Sequence, residues 1–208
     1  MKTLFVNALI KKEPDYGKIV LAINSLNENN FAICYSNQFS DIANEVSKRV
    51  EKKIVEKMQV LGCSNPKFSK ETEAILFFGE GKFHSVSLAY ESKLPTYIIT
   101  QSSVEEVSKD EIEKMQKKEK GALLKYLMSE KIGILVTTKP GQNRLKRALE
   151  FKNKLKEKKG YIFIANDINT QEFENFDVDS FVNTACPRMD LNKGSIINLD
   201  KIPKEVIK

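Results

Sequence analysis

The chain has 208 residues, of which 41% are hydrophobic and 30% are charged, and its formal net charge is +6. This length fits one large domain or two small ones with a real hydrophobic core. No segment approaches the roughly 20 apolar residues of a membrane-spanning helix and no secretory leader opens the chain, so we expect a cytoplasmic protein with no membrane partner.

Short apolar runs alternate with charged, amphipathic segments along the whole chain. Runs rich in Ile, Phe, Val and Tyr are typical of buried strands, and the longer amphipathic segments are typical of helices. The predicted strands are residues 3–9, 31–35, 58–61, 74–78, 96–100, 132–137, 160–165 and 180–183. The predicted helices lie near residues 17–27, 39–53, 83–92, 109–130, 142–158 and 170–175. Strands that alternate with helices predict an α/β fold with mostly parallel sheets.

The polar stretch 101–110 has no strand pattern and is the best domain boundary. We therefore predict two α/β subdomains, residues 1–103 and 104–208, each a mostly parallel sheet flanked by helices. A short internal repeat supports this division: in each half a strand leads through a glutamine (Gln38 or Gln142) into a lysine-rich helix, and a cysteine later follows a strand. Ligands of parallel sheets bind at the carboxyl ends of the strands, so the two cysteines are predicted to face one shared site.

The positive charge comes almost entirely from lysine, because only four of the 34 basic residues are arginine. The lysines alternate with glutamates at helical spacings, which favours solvated helix faces with weak ion pairs. We therefore expect no direct contact with nucleic acid. The net charge would still help the protein approach an acidic or RNA-associated partner.

The three cysteines, Cys34, Cys63 and Cys186, form no CxxC pair, and His84 is the only histidine, so a conventional zinc site is not expected. An odd number without an export signal argues against a disulfide framework and leaves packing, redox chemistry or metal binding. Arg188 lies two residues after Cys186, and a cation beside a sulfur favours the thiolate that binds metals. The alternative is that these cysteines are small buried hydrophobic residues, which is the commoner role of an isolated cysteine.

Two glycine-containing turns at strand-to-helix junctions are candidate anion sites. Residues 79–81 (GEG) lie between a strand and a helix that is predicted to begin near His84, where backbone N–H groups can hold a phosphate or carboxylate. Residues 137–144 (TTKPGQNR) make a similar turn. The first lacks the third glycine of a dinucleotide fingerprint, and the second lacks the GK[ST] ending of a P-loop. Each can equally be a plain connection, and His84 can be a structural histidine.

Five segments together resemble one family, the diphthamide synthase radical enzymes, also called 2-(3-amino-3-carboxypropyl)histidine synthases. They occur in the family's order and cover nearly the whole chain, and the last of them is the most specific. The segments are VLGCS (60–64), FFGEGKFHSVSLA (77–89), LVTTKPGQ (135–142), IANDIN (164–169) and FVNTACPR (181–188).

The resemblance implies a family fold of three related α/β domains, each offering one cysteine to a central 4Fe–4S cluster. The cluster binds S-adenosylmethionine and cleaves its Cγ–S bond by one-electron reduction. The resulting 3-amino-3-carboxypropyl radical adds to a histidine of translation elongation factor 2. By this resemblance Cys63 and Cys186 are the metal ligands of the second and third domains. The candidate S-adenosylmethionine-binding residues, inferred from their positions, are Gly79, Gly81, His84, Gln142 and Arg188.

By this resemblance the sequence begins where the family's second domain would begin, so we expect the first domain and its cysteine motif to be missing from it. Cys34 lies at the exit of a strand where the family places no cluster ligand, so we expect it to pack. Three explanations stay open: a separate polypeptide supplies the first domain; Cys34, water or substrate completes the cluster; or the chain is a degenerate, non-catalytic partner. We favour the first, because both cysteine motifs and the GEGKFH box are intact.

The resulting hypothesis is a subunit or carboxyl-terminal portion of the transferase. Its expected partners are translation elongation factor 2 and the separate first-domain polypeptide, and a homo-oligomer is also open. One alternative is a non-catalytic or scaffold subunit of a diphthamide synthase complex. Another is an ordinary α/β enzyme that acts on a small molecule through the GEG turn, with an activity indifferent to the loss of Cys63 and Cys186.

Overall fold

The computed structural model describes residues 9–11, 13–61, 64, 66–187, 189 and 195–207, except the side chains of residues 173 and 174. The chain divides into two compact units, Met1–Met115 and Gln116–Lys208. The predicted boundary at 103/104 separates two strands that the structure places in the same sheet. Within the described residues, no helix has both the length and the apolar character needed to cross a membrane.

The first unit is built on a five-stranded sheet. Its strands are β1 (Asn30–Tyr35), β2 (Lys53–Gln59), β3 (Ala74–Phe78), β4 (Thr96–Ile99) and β5 (Val104–Glu106). The order across the sheet is β2-β1-β3-β4-β5; the first four strands are parallel and β5 is antiparallel to β4. The helices of this unit are α1 (Tyr16–Asn24), α2 (Ser40–Arg49) and α3 (Lys82–Ser92).

The second unit is built on a four-stranded sheet. Its strands are β6 (Lys131–Thr137), β7 (Lys159–Ala165), β8 (Ser180–Asn183) and β9 (Ile196–Asn198). The order is β7-β6-β8-β9 and every pair is parallel. The helices are α4 (Lys109–Met128), within which the two units divide, and α5 (Leu145–Lys154).

The two sheets repeat one plan. The order β2-β1-β3-β4 in the first matches β7-β6-β8-β9 in the second, and a ten-residue helix follows the first strand of each, α2 or α5. A carboxylate directly before the third strand fastens the start of the first strand in both. Glu73 accepts the backbone N–H groups of residues 29–30, and Asp179 accepts those of residues 130–131. We call these contacts the amino-end staples.

Helices cover the sheets through apolar side chains of the central strands. In the first unit β1 and β3 pack on α1 and α2 through residues such as Phe31 and Leu76, and on the opposite face they pack on α3. In the second unit β6 and β8 pack on α4 and α5, where Tyr126 and Ile134 are fully buried. The predicted α/β fold with two repeated, mostly parallel sheets is therefore confirmed.

Several predicted elements were wrong in detail. The strand predicted at 58–61 is β2 at 53–59, whose polar and half-buried positions reflect its place at the edge of the sheet. The three-residue strands β5 and β9 were missed, and the helix predicted at 170–175 is a 3₁₀ helix. The strand predicted at 3–9 lies outside the described residues, except for Leu9, which belongs to no helix or strand.

Candidate functional site

The predicted site residues follow the carboxyl ends of parallel strands in both units. In doubly wound sheets, ligands bind at this edge where neighbouring strand connections run in opposite directions. That point lies between β1 and β3 in the first unit and between β6 and β8 in the second. The loops after β3 and β8 are residues 79–81 and 184–187.

Gly79 is a glycine because an aromatic ring occupies the space of a side chain. A Cβ atom there would lie 2.4 Å from the Phe77 ring, closer than real contacts allow. Gly81, in contrast, has a φ of +81°, a left-handed conformation that glycine adopts readily, and α3 begins directly after it at Lys82. The sequence predicted that this helix begins near His84. In the structure it begins two residues earlier, at Lys82.

His84 lies in the first turn of α3 with its ring held on two sides. It stacks on Phe77, with a centroid distance of 5.8 Å and an interplanar angle of 25°, and meets the edge of Phe83 at 5.5 Å. His84 also lines a cavity of about 10 Å³ together with Val60, Leu61 and Ser64. The structure therefore brings this histidine next to the segment that carries Cys63.

Cys63 itself lies outside the described residues. Leu61 and Ser64, the nearest described residues on either side of it, form two hydrogen bonds with each other. The Ser64 N–H donates to the Leu61 carbonyl oxygen at 2.9 Å, and the Leu61 N–H donates to Ser64 Oγ at 2.8 Å. The predicted strand-end position of the cysteine is four residues after Gln59, the last residue of β2.

A larger cavity, of about 280 Å³, lies on the β4 side of the GEG turn. Its walls are residues 79–82, the end of β4 with residues 100–101, and the apolar ring of Phe39. Two carboxylates, Glu80 and Glu105, line it. The Lys82 ammonium also lines it and forms an ion pair with Glu111 at 2.7 Å.

Cys34 is a packing residue. It is fully buried in β1 between Phe77 of β3 and Met58 of β2. Burial raises the pKa of its thiol to about 12, with a smaller contribution from Glu56. Because metals bind the thiolate, this neutral thiol is a poor metal ligand.

Cys186 lies in a loop that two buried asparagines hold in place. Asn183, at the end of β8, donates through Nδ2 to the Cys186 carbonyl oxygen at 2.7 Å and accepts the Ala185 N–H at 2.9 Å. It also donates to Asn198 of β9 at 2.6 Å, and Asn198 donates to the Pro187 carbonyl oxygen at 2.9 Å. The Cys186 residue is half-buried and its thiol is free, so the loop presents a sulfur from a fixed backbone.

The TKPG turn is tied to the loop after β7. Its φ is positive at Gly141, and the Gln142 N–H closes the turn on the Lys139 carbonyl oxygen at 3.1 Å. Thr137 Oγ1 donates to the Asn166 carbonyl oxygen at 2.8 Å, and Lys139 forms an ion pair with Asp167. Gln142 is exposed, and Arg188 lies outside the described residues.

Of the two predicted cluster ligands, Cys186 is the one that lies within the described residues. Among the described residues, no group of three or more His, Cys, Asp or Glu side chains is arranged to hold a metal ion. Cys186 offers a free, half-buried thiol, whereas Cys34 does not fit as a ligand. Sequence reasoning missed Asn183 and Asn198, although Asn183 is part of the VNTACPR motif.

The chain is similar in sequence to several known proteins of one kind. The 2-(3-amino-3-carboxypropyl)histidine synthase of Methanocaldococcus jannaschii is 34% identical over 139 residues, which are 64% of this chain and 40% of that protein. The synthase of Pyrococcus horikoshii is 31% identical, with the same coverage of both chains. Subunit 1 of the synthase of Kluyveromyces lactis is 27% identical and covers 70% of this chain and 36% of its own length. The chain thus spans about two fifths of the length of these relatives.

The fold has a solved counterpart. The crystal structure of Dph2 from Pyrococcus horikoshii with a 4Fe–4S cluster has a TM-score of 0.69 and 22% identity, and covers 86% of this chain and 57% of that one. A second structure of the same Dph2 gives the same TM-score with 93% and 60% coverage. The family described as "Putative diphthamide synthesis protein" matches residues 1–196. This chain therefore belongs to the diphthamide synthesis protein family.

Proposed function

We propose that this chain is part of an iron–sulfur enzyme that transfers the 3-amino-3-carboxypropyl group of S-adenosylmethionine to a histidine of translation elongation factor 2. This is the first step of diphthamide biosynthesis. Membership of the family and the synthase names of its relatives support the reaction class. Because the chain spans two fifths of those relatives, we assign it a part of the enzyme.

The observation that carries this proposal is the Cys186 loop. A thiol that ligates a metal needs a fixed backbone and access to the metal. The Asn183 and Asn198 side chains fix this backbone through its carbonyl and N–H groups, which leaves the sulfur free to bind iron. We assign Cys186 and Cys63 as two cluster ligands.

The third ligand lies elsewhere. Cys34 is unsuited to the role because burial keeps its thiol protonated. A 4Fe–4S cluster with one iron open to substrate needs three cysteine ligands. We therefore propose that the third cysteine comes from the portion of the family's length that the match does not include, carried either by a separate polypeptide or by the same protein.

The proposed transfer breaks one bond of S-adenosylmethionine and forms one bond to the acceptor histidine. The Cγ–S bond of S-adenosylmethionine breaks and 5′-methylthioadenosine leaves. A bond forms between Cγ and an imidazole carbon of the acceptor histidine, and the adduct then loses a proton and one electron, so the transfer is redox-neutral overall. When bound, the cluster supplies the electron that permits cleavage of the carbon–sulfur bond. The chain's own contribution is to hold the ligating thiols and to orient the substrate.

The residues predicted for S-adenosylmethionine stay predictions. Support in the first unit comes from the 280 Å³ cavity beside Gly79 and Gly81, whose carboxylates Glu80 and Glu105 suit a sulfonium cation and whose apolar lining suits a purine. The Lys82 ammonium, which also lines it, is paired with Glu111. His84, Gln142 and Arg188 are tested one at a time by substitution. Equilibrium binding of S-adenosylmethionine to each variant is the measurement.

The decisive experiment is the iron content of the protein after anaerobic reconstitution with iron and sulfide. The proteins compared are the wild type, Cys63→Ala, Cys186→Ala and Cys34→Ala, each with any co-purifying polypeptide. We expect the first two variants to lose most of the iron and Cys34→Ala, the matched control, to retain it. Equal iron in all four proteins would overturn the cluster assignment.

An activity assay separates the enzyme from the non-catalytic alternative. The reconstituted complex is mixed with elongation factor 2, S-adenosylmethionine and a reductant, and 5′-methylthioadenosine and the modified factor are quantified. Formation of both products, abolished by Cys186→Ala, supports the transferase. A complex that binds the cluster and never modifies the factor is a scaffold.

A further inference from the structure

The second half of α4 exposes apolar side chains on one face. Met128 is 85% exposed, Leu124 60% and Leu127 40%. These three residues are spaced i, i+3 and i+4 and therefore share a face, which Gly121 extends by one turn. We call Gly121, Leu124, Leu127 and Met128 the α4 stripe. Several exposed apolar side chains side by side, unlike a single exposed leucine, indicate an interaction surface.

The α4 stripe is held in place because the opposite side of the helix is anchored. Ala122 and Tyr126 are buried in the main apolar cluster of the second unit. The Lys158 ammonium donates to the carbonyl oxygens of Leu127 at 2.9 Å and Ser129 at 2.6 Å, and it lies 5.4 Å from the centroid of the Tyr126 ring. The last turn of α4 is therefore fixed, and its exposed side chains cannot turn into the core.

Lysines border the α4 stripe. Lys120 and Lys125 are exposed, and each lies four residues from a member of the stripe, so both are next to it on the helix surface. Residues 117–128 contain four lysines in all, Lys117, Lys118, Lys120 and Lys125, and one acidic residue, Glu119. This half of α4 is thus a cationic amphipathic helix.

The nearby carboxylates do not cancel this charge. Glu119 is already paired with Lys201 at 3.4 Å. Asp179, whose charge reaches Lys125, accepts the backbone N–H groups of residues 130–131. The exposed Glu130 follows the end of the helix. The surface around the stripe therefore keeps a net positive charge.

We propose that the α4 stripe is a docking surface for an acidic amphipathic helix of a partner protein. Apolar residues of the partner at helical spacing cover the stripe, and carboxylates beside them face Lys120 and Lys125. The same charge disfavours a second copy of this chain, because two such surfaces in contact place lysines against lysines. The stripe contains none of the residues assigned to the cluster or to S-adenosylmethionine, so the proposal does not depend on the proposed function.

The first test measures the binding of a labelled synthetic helix to the full chain by fluorescence anisotropy. The peptide has about 18 residues, which make five turns, with leucines on one face and glutamates on the other. A control peptide carries lysine in place of every glutamate. We expect the acidic peptide to bind, more weakly as salt is added, and the basic peptide not to bind. No binding of the acidic peptide, or equal binding of both peptides, would overturn the proposal.

Variants of the chain locate the binding surface. In Leu124→Ser we expect about tenfold weaker binding of the acidic peptide, because the leucine no longer contributes buried apolar area. Leu21→Ser is the matched control, since Leu21 is 72% exposed on α1, and it should bind like the wild type. The double variant Lys120→Glu, Lys125→Glu keeps the stripe and should lose affinity for the acidic peptide. Wild-type affinity in Leu124→Ser contradicts the proposal.

Two further measurements test other occupants of the stripe. Sedimentation equilibrium should give a monomer, and a dimer that Leu124→Ser abolishes would assign the stripe to a second copy. Vesicles of phosphatidylserine and phosphatidylcholine should not bind the chain, and binding that Leu124→Ser weakens would assign the stripe to a lipid surface. Either of these two results would overturn the proposal.

Discussion

The two units hold the loops after their equivalent strands, β3 and β8, by different interactions. Counting from the amino-end staples, Phe77 lies four residues after Glu73, and Asn183 lies four residues after Asp179. Phe77 shapes its turn with an aromatic ring that fits against Gly79. Asn183 shapes its loop with three hydrogen bonds from a buried amide.

This difference follows from the neighbouring strands. Phe77 pairs with Ile98 of β4, and Asn183 pairs with Asn198 of β9. An apolar neighbour favours ring packing, whereas a second amide completes a buried polar network. A repeated backbone therefore does not dictate how a loop is held, because the contacts of one register position decide it.

Loss of the amide in the second unit should have the largest effect. Asn183→Ala leaves the Ala185 N–H, the Cys186 carbonyl and Asn198 Oδ1 without this partner, which should lower the free energy of unfolding by about 3 kcal/mol. Denaturant unfolding followed by circular dichroism measures it.

The matched control for that variant is Asn143→Ala. Asn143 is exposed and accepts one N–H, that of Leu145, at 3.2 Å. Its loss should cost about 0.5 kcal/mol, as for a weak helix cap. Equal effects of the two variants would mean that the buried network does not stabilise the Cys186 loop.

A side chain added at Gly79 should have the next largest effect. In Gly79→Ala the new Cβ meets the Phe77 ring at 2.4 Å, and the ring must move, at a cost of about 2 kcal/mol for overpacking. The control is Gly121→Ala in α4, where no atom lies within 4 Å and alanine should stabilise the helix by about 0.8 kcal/mol. Thermal or denaturant unfolding measures the change in the free energy of unfolding. If the Phe77 ring fixes the turn, this change will be a loss in Gly79→Ala and a gain in Gly121→Ala.

The amino-end staples should give the smallest effect, seen as a pH dependence. The backbone N–H groups of residues 29–30 lower the pKa of Glu73 from 4.5, and those of residues 130–131 lower the pKa of Asp179 from 3.8. A carboxyl whose pKa is lower in the folded state stabilises the fold above its unfolded pKa and loses this contribution as pH falls through the folded pKa. Wild-type stability should therefore decline below about pH 4.5.

The variant pair Glu73→Gln and Asp179→Asn sharpens this result. Neither amide can ionise, so each variant should flatten part of the decline, below about pH 4.5 for Glu73→Gln and below about pH 3.8 for Asp179→Asn, and should destabilise the protein at pH 7. If the two staples are equivalent, the two pH profiles will differ only by the displacement that the ordinary pKa values of 4.5 and 3.8 impose. If either variant has the same pH profile as the wild type, the carboxylate that it replaces does not stabilise the fold.

Much of the frame could be predicted from the sequence, because the central strands are apolar runs between amphipathic helices. The runs at 31–35, 74–78 and 132–137 became β1, β3 and β6 almost unchanged. The prediction misplaced β2 because charged residues interrupt its apolar ones. These residues are tolerated because β2 is an edge strand with a neighbour on one side only. Three-residue strands such as β9 are too short to show the alternating hydrophobic pattern by which strands are predicted.

The site could be predicted only as a set of loops. Cysteine positions after strand ends are visible in the sequence, and so are glycine turns. The contacts that shape those loops join residues two positions apart or on neighbouring strands, such as Phe77 with Gly79 and Asn183 with Asn198. No periodicity encodes such pairs, because each depends on the register of the sheet.

The staple register places Glu80 of the first unit at the position of Cys186 in the second, each seven residues after its carboxylate. One backbone thus displays a carboxylate in one copy and a thiol in the other. A repeated sheet of this kind can differ by single substitutions at its loops, since the carboxylates of the staples lie at the amino edge, apart from the carboxyl edge where ligands of parallel sheets bind. Such a separation makes the fold evolvable: selection can exchange ligand types at one edge while the other preserves the architecture.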